Sequence, residues 1–395
     1  MPRILIAPNA FKGSLSAVEA ALVIKSSIDS LGLNLTTIPF PIADGGDGTI
    51  DVINFNFPES KFVNHVVYDP LMRKIKTRWL ILEEAEKQRG KDVKRKKIGV
   101  IELSKASGMS LLKKEELNPF VASTYGTGQL ILDALNKGCK KIIISLGGSA
   151  TIDTGLGLIS ALGGKILDKK RNVLEPIAKN LLYIKKIDLT SVDKRIKNCS
   201  IDVLCDVKSC LVGKDGTINF ARQKGAKAND LQAIESRMNH FADIVSELIH
   251  YDYRYERMVG SAGGTAFSLK FLLGAKLFHG FSYISNLILL KEQIKASDLV
   301  ISGEGSLDAQ SLMGKGVIEL AKICKKYKKK VIVLCGKYDN SINWSKYGID
   351  FIFPIKPKNI NTLDSMYKAK KLIKKAIKTK YRLLFELLRE KLEIR

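Results

Sequence analysis

Short apolar runs near both ends of the chain alternate with amphipathic segments, which predicts buried parallel strands joined by crossover helices. Arg3–Ala7 predicts a first strand and Leu35–Phe40 a second. Between them, a capping box formed by Ser16 and Glu19 marks the start of a helix. The same rhythm returns late in the chain, with strands predicted at Leu299–Ser302, Val331–Cys335 and Phe351–Phe353. This alternation is typical of a parallel α/β sheet.

The middle of the chain has a different pattern. Three strands are predicted there without a long helix between them, at Asn64–Tyr68, Lys76–Leu82 and Ile98–Glu102. A helix at 127–137, strands at Ile142–Ser145 and Ile201–Cys205, and a long amphipathic helix at Asp230–His250 follow. The middle therefore predicts a mixed α/β region.

Because the two ends share one character and the middle has another, we predict an α/β protein of two domains. The first is a discontinuous Rossmann- or flavodoxin-like parallel-sheet domain of residues 1–60 and 290–395. The second is a mixed α/β domain of residues 61–289, inserted into the first. The active site is expected in the cleft between them.

Composition adds one unusual feature, a net charge of +25 over 395 residues. Of the 65 basic residues only 14 are Arg, and the Lys residues are scattered along the chain, so a nucleic-acid surface is not expected. No apolar stretch is long enough to cross a bilayer, and no membrane partner is expected. The 6 Cys form no Cys-x-x-Cys pair, which favours a reduced, cytoplasmic protein.

Gly-rich loops follow several predicted strands, at the sheet edge where α/β proteins bind ligands. Their backbone N–H groups can approach phosphate closely, although each loop is also compatible with an ordinary turn. The loops are Pro8–Leu15, Ala43–Thr49, Gly147–Gly155 and Ser302–Asp308, the last followed by Gly314-Lys315-Gly316.

The absence of several known motifs excludes some classes of enzyme. No Gly-Lys pair is followed by Ser or Thr, so there is no Walker A motif, and no His precedes Arg-Asp as in protein kinases. With only 4 scattered His, a triad hydrolase or a His-rich metal site is not expected. Gly-rich anion loops, carboxylates and single lysines together favour phosphoryl transfer, which depends on positioning and charge neutralisation.

Seven stretches, in order along the chain, resemble the bacterial glycerate kinase family of the glycerate 2-kinase type. They are PNAFKGSLSA (8–17), PIADGGDGT (41–49), NPFVASTYGTGQLI (118–131), ISLGGSATIDTGLG (144–157), QKGA (223–226), AGGTAFS (262–268) and ISGEGSLDAQSLMGKG (301–316). The resemblance implies ATP-dependent phosphorylation of D-glycerate, with 2-phosphoglycerate the favoured product, and a two-domain architecture. The chain departs from the family's common residues at Asn9 (Asp), Asp47 (Glu), Ile152 (Asn) and Gly316 (Pro).

Loop chemistry then assigns roles to individual residues. The predicted catalytic residues are Asp206, first choice for the base that accepts the substrate hydroxyl's proton, Lys12, and Asp44 as second choice. The predicted nucleotide- or phosphate-binding residues are Gly147, Gly148, Ser149, Thr151, Gly303, Glu304, Gly305 and Lys315. The predicted substrate-binding residues are Ser14, Gly45, Gly46 and Asp153. ATP and Mg²⁺ are the expected cofactors, with Asp47 and Asp308 as metal ligands.

Alternative functions remain open at this point. One is a kinase for a related hydroxy acid or sugar acid, motivated by Asn9 and Ile152. Another is a non-catalytic nucleotide-binding protein of the same fold. The apolar positions of Tyr381–Arg395 predict an added amphipathic helix that packs on the body of the protein or on a second subunit, so a homodimer is also open.

Overall fold

The computed structural model describes residues 1–86, 94–313, 316–357 and 359–392. Its strands are β1 (Arg3–Ile6), β2 (Thr36–Pro39), β3 (Lys61–Tyr68), β4 (Lys74–Glu86), β5 (Lys94–Glu102), β6 (Lys141–Ser145), β7 (Lys165–Leu167), β8 (Lys186–Asp188), β9 (Ser200–Cys205), β10 (Lys276–His279), β11 (Leu299–Leu307), β12 (Lys330–Tyr338) and β13 (Phe351–Pro354). Its α-helices are α1 (Ala17–Asp29), α2 (Thr49–Asn56), α3 (Ser104–Ser107), α4 (Tyr125–Asn136), α5 (Leu156–Ala161), α6 (Leu231–Ile249), α7 (Ser261–Leu273), α8 (Gly280–Leu287), α9 (Leu290–Lys295), α10 (Gly316–Lys326), α11 (Thr362–Tyr367) and α12 (Ala369–Leu392). The protein is therefore a mixed α/β fold.

The chain forms two compact units. The terminal unit comprises Met1–Asp44, Asp51–Pro58 and Phe281–Arg395, and the middle unit comprises Gly45–Ile50 and Glu59–Gly280. The short segment Gly45–Ile50 thus belongs to the middle unit, although its chain neighbours on both sides belong to the terminal unit.

The terminal unit is built on an all-parallel sheet with the strand order β13-β12-β11-β1-β2. Consecutive residues of β1, Ile4, Leu5 and Ile6, are all fully buried, so both faces of this strand are covered. That explains why β1 has an unbroken apolar run instead of an alternating one. The strands predicted at both ends of the chain are confirmed.

The C-terminal helix α12 packs on α1 within the core of the terminal unit. Leu384, Leu387 and Leu388 are buried in the same apolar cluster as Ile24 of α1. Each fully buried Leu contributes about 1.5–3 kcal/mol relative to an exposed one. Of the two arrangements expected from the sequence, packing on the body of the protein is the one seen up to Leu392.

The middle unit contains a mixed sheet with the strand order β10-β9-β6-β5-β4-β3. Strands β10, β9, β6 and β5 are parallel, whereas β4 runs antiparallel to both β5 and β3. Helix α6 buries Ile234, Met238, Phe241 and Val245 in the core, the face that the helical periodicity predicts. Within the part of the chain that the structure describes, no helix is long and apolar enough to span a membrane.

Candidate active site

The first group of predicted site residues lies at the carboxyl ends of β1 and β11, which are neighbours in the parallel sheet of the terminal unit. After β1, Asn9 donates its backbone N–H to the carbonyl oxygen of Gly303 over 2.9 Å. Glu304 and Gly305 follow Gly303 in β11. Two Gly-rich loops that lie far apart in the sequence therefore meet at the edge where parallel sheets bind ligands.

Asn9 and Asp44 form a hydrogen-bonded pair at this edge. Asn9 Nδ2 donates to Asp44 Oδ2 over 3.1 Å, and Asn9 Oδ1 accepts from the N–H of Ala10 over 2.8 Å. An ionised aspartate at position 9 would have no proton to donate. The asparagine therefore replaces a contact between like charges by a hydrogen bond. Gly316 lies beside the pair, since an added Cβ there would be 3.3 Å from Asn9 Nδ2.

The loop between β1 and α1 brings Lys12 and Ser14 to a cavity of about 220 Å³ in the terminal unit. Lys12 is exposed. Ser14 Oγ donates to the carbonyl oxygen of Met366 over 2.7 Å, which ties this loop to α11. The Ser14 oxygen retains lone pairs, so it can still accept a hydrogen bond from a ligand.

The other predicted acidic residues of the terminal unit have local partners. Ser311 Oγ lies 3.4 Å from Glu304 Oε1 in a buried position. Asp308 accepts from Ser306 Oγ over 3.1 Å and from the N–H of Gln310 over 2.9 Å, so it stabilises its own turn. Lys315, predicted to bind phosphate, lies outside the described residues.

The second group of predicted residues lies in the middle unit, in the loop that follows β6. The N–H of Gly147 donates to the carbonyl oxygen of Gly45 over 3.3 Å, and a Cβ on Gly147 would lie 2.5 Å from Gly46 Cα. Gly148 has a φ of 77°, and a Cβ there would lie 2.8 Å from Asp47 Oδ1. Glycine at both positions therefore lets the acidic segment pack directly on this loop.

Asp153 is fully buried, and its carboxylate accepts hydrogen bonds from other groups of the protein. It accepts hydrogen bonds from the N–H and the hydroxyl of Thr124, at 2.8 and 2.7 Å, and from the N–H groups of Gly155 and Gly157, at 3.2 and 3.1 Å. Burial raises the pKa of Asp153, and the hydrogen bonds oppose that rise. This geometry suits a residue that fixes the loop. Ile152 beside it is buried in the apolar core.

Lys224 is a buried cation behind the same loop. Its side-chain ammonium donates to Ser149 Oγ over 2.7 Å and to the carbonyl oxygen of Thr151 over 2.9 Å. Only 3% of the residue is exposed. Burial lowers the pKa of Lys224 to about 8, although the carboxylates of Asp153 and Asp206 favour its charged form. The loop from Gly147 to Thr151 is thus backed by a positive charge.

Lys224 is the main residue that the sequence patterns do not single out. It stands within the QKGA stretch that carries part of the family resemblance. A lysine in a short polar stretch is usually exposed. No local pattern shows that the partners of Lys224 lie 75 and 73 residues earlier in the chain. The resemblance of the QKGA stretch to the family motif is the sequence signal that points to Lys224.

Asp206 follows the last residue of β9 and is exposed. Strand β9 pairs with β6, so Asp206 and the loop after Ser145 leave the sheet at the same edge. The carboxylate also acts electrostatically on the Lys224 ammonium. An exposed carboxylate beside a Gly-rich loop and a buried cation is suited to accept a proton from a bound alcohol.

Gly263 provides a test of how tightly this loop is held. It has a φ of 69°, and an added Cβ would overlap the carbonyl oxygen of Thr151, which Lys224 binds. We expect Gly263→Ala to lower the free energy of unfolding by about 2–5 kcal/mol, combining left-handed backbone strain with overpacking. Gly274 also has a positive φ, 73°, but no atom within 4 Å of its Cβ position.

Gly274→Ala is therefore the matched control, because it keeps the backbone strain without the overlap. It should cost only about 1–2 kcal/mol. Urea unfolding of both variants measures the difference, and equal losses would contradict the packing described for Gly263.

Among the described residues, no cluster of three or more His, Cys, Asp or Glu side chains is arranged to hold a metal ion. The two predicted metal ligands, Asp47 and Asp308, lie in different units.

Comparison with known proteins identifies the family. The model of the glycerate kinase family matches residues 4–385. This chain belongs to the glycerate kinase family.

Individual relatives match most of this chain. The chain is 34% identical over 368 residues to the glycerate 2-kinase of Escherichia coli strain K12, and the match covers 93% of each chain. It is 35% identical over 357 residues to the glycerate kinase of Bacillus subtilis strain 168, covering 90% of each. The crystal structure of a protein assigned as glycerate kinase 2 from Salmonella typhimurium LT2 has a TM-score of 0.80 at 29% identity, and covers 98% of this chain and 99% of that one.

Proposed function

We propose that this protein transfers the γ-phosphoryl group of ATP to D-glycerate and forms 2-phosphoglycerate and ADP. Membership of the glycerate kinase family over residues 4–385 carries the proposal. Position 2 is favoured because the Escherichia coli relative, which is named a glycerate 2-kinase, aligns with 93% of this chain. The resemblance of the Gly-rich loops to the family motifs supports the same reaction.

In the proposed mechanism, the middle unit neutralises charge on the transferring phosphoryl group. Within the loop from Gly147 to Thr151, the backbone N–H groups of Gly148 and Ser149 act as donors, and the Lys224 ammonium fixes that loop and adds positive potential behind it. Asp206 accepts the proton of the attacking hydroxyl as the new oxygen–phosphorus bond forms and the bond to ADP breaks. Asp153 maintains the shape of the loop through its four hydrogen bonds, a role that replaces the direct substrate contact predicted for it.

Mg²⁺ is part of the proposal because ATP-using enzymes bind it through one or two carboxylates together with substrate phosphates. The donor set fits that arrangement, since Asp47 presents an exposed carboxylate against the backbone of Gly148. Asp308 is the second candidate ligand. Bound Mg²⁺ would neutralise negative charge on the phosphates.

The larger architecture is also a proposal. We propose that the terminal unit is a discontinuous Rossmann-like domain and that the middle unit is the inserted one. Substrate binding in a cleft between domains, a homodimer and a cytoplasmic location remain predictions. The 6 free cysteines are compatible with a reducing compartment.

A coupled assay of ADP release tests the function directly. We expect Mg²⁺-dependent ADP formation with D-glycerate, and much less with L-glycerate or with longer sugar acids. Faster turnover of another hydroxy acid would favour the alternative kinase, which the uncharged Asn9 side chain beside Asp44 motivates. Nucleotide binding by folded protein without turnover of any acid would contradict the proposed enzyme.

A further inference from the structure

The cavity of the terminal unit lies where the strand order of its sheet reverses. After β1 the chain forms β2 on one side of β1, and the remaining strands are added on the other side, beginning with β11. Asn9 and Lys12, which follow β1, and Gly305 and Ser306, at the end of β11, all line the cavity. Such a switch point is the place where open parallel sheets leave room for a ligand.

One wall of the cavity is apolar. Ile355, Met366 and Leu372 line it. Met366 is held in place by two contacts: its carbonyl oxygen accepts from Ser14 Oγ over 2.7 Å, and its Cε lies 2.5 Å from where a Cβ on Gly13 would be. Because Gly13 has no side chain, α11 can pack directly against the loop after β1.

The lining also contains five charged side chains, of which three are basic. Lys12, Lys337 and Lys356 line the cavity together with the carboxylates of Asp44 and Glu304. Lys12 and Lys337 are exposed, which places them where the cavity opens to solvent. Among the carboxylates that the structure describes, none forms a salt bridge with these three lysines.

We propose that this cavity binds the nucleotide, with the purine base against the wall of Ile355, Met366 and Leu372 and the phosphates near Lys12 and Lys337. This inference rests on the proposed function. Of the two proposed substrates only ATP has an apolar surface to cover that wall, because glycerate is polar on every side. The cavity, of about 220 Å³, opens to solvent beside Lys12 and Lys337, so a base against the apolar wall would have its phosphates toward these exposed lysines.

This location for the nucleotide base differs from the one that the Gly-rich loops alone predict. The sequence distributes nucleotide binding between the loop after β6 and the loop of β11, whereas the cavity places the base in the terminal unit. Lys337 and Lys356 are new members of the site. Lys337 lies at the carboxyl end of β12 and Lys356 follows β13, and the carboxyl ends of both strands share the edge with that of β11.

Isothermal titration of the full-length protein with ADP tests the inference. We expect the double variant Lys337→Ala/Lys356→Ala to raise the Kd for ADP by about tenfold or more, since two charge-assisted contacts are lost. Ser365→Trp, which fills the cavity from α11, should abolish ADP binding. Lys371→Ala, an exposed lysine of α12 outside the cavity lining, is the matched control and should leave the Kd within about twofold.

Steady-state kinetics separate the two substrates. In the double variant, the KM for ATP should rise while the KM for D-glycerate stays near the wild-type value. An unchanged ADP Kd in both cavity variants, or a rise confined to the KM for glycerate, would overturn the inference. If wild-type protein binds ADP through this cavity but releases no ADP with any acid, the nucleotide site stands and the proposed function fails.

Discussion

Replacing Lys224 by methionine is expected to lower kcat for glycerate phosphorylation by about 10²- to 10³-fold, the usual effect of removing a preorganised electrostatic donor. Methionine is unbranched and apolar like the stem of lysine and only one atom shorter, but it lacks the ammonium that binds Ser149 and Thr151. Without it, the loop lacks both its two hydrogen bonds and the positive charge behind it. The KM for D-glycerate and kcat of the purified, folded variant measure the effect.

Lys227→Met is the matched control. Lys227 lies three residues further along the same segment but is exposed. Its replacement should change kcat by less than about twofold. If Lys224→Met retained near-wild-type turnover while remaining folded, the buried ammonium would have no catalytic part, and its position would be purely structural.

A pH profile distinguishes these two roles of Lys224. The pKa of Lys224 is lowered from 10.5 to about 8, so the ammonium loses its proton as the pH rises through about 8. Activity that needs the charge should therefore fall above that pH. Stability should move in the opposite direction, because the folded protein favours the neutral amine and its burial penalty is relieved between about pH 8 and 10.5. Both pH dependences should be absent in Lys224→Met.

Asp206→Asn is expected to lower kcat by about 10²- to 10⁴-fold, the range for loss of a general base. Asparagine has nearly the shape of aspartate but cannot accept the proton of the attacking hydroxyl at neutral pH. Because Asp206 is exposed, the variant should fold normally. Loss of its negative charge should also lower the pKa of Lys224, since the Asp206 carboxylate favours the ammonium form.

Asp215→Asn serves as the control for Asp206, because Asp215 is another exposed carboxylate of the middle unit. Its turnover should stay within about twofold of wild type. Near-wild-type turnover of Asp206→Asn would move the base to another residue, and Asp44, held by Asn9, is the next candidate.

The sequence predicts the fold well where burial gives a regular pattern. Strands β1, β11 and β12 are covered on both faces, so their apolar runs are visible without any knowledge of their neighbours. Helix α6 shows its buried face through the spacing of Ile234 and Phe241. These signals are local, and local patterns survive without tertiary information.

The site is harder to predict because its decisive contacts are long-range. Asp153 looks like a ligand residue in a Gly-rich loop, but its carboxylate is satisfied by Thr124, which lies 29 residues earlier. Lys224 looks like a surface lysine until its contact with Ser149 is seen. Polar residues in loops can face a ligand or the protein, and only the fold determines which.

The most direct test of the central claim is NMR spectroscopy of the product formed from D-glycerate, ATP and Mg²⁺ by the wild-type protein. We predict a single new phosphomonoester signal, coupled to the proton on carbon 2, together with an equivalent amount of ADP. A phosphoryl group on carbon 3 would contradict the assigned position. The absence of any phosphorylated glycerate from a reaction with folded protein would contradict the account as a whole.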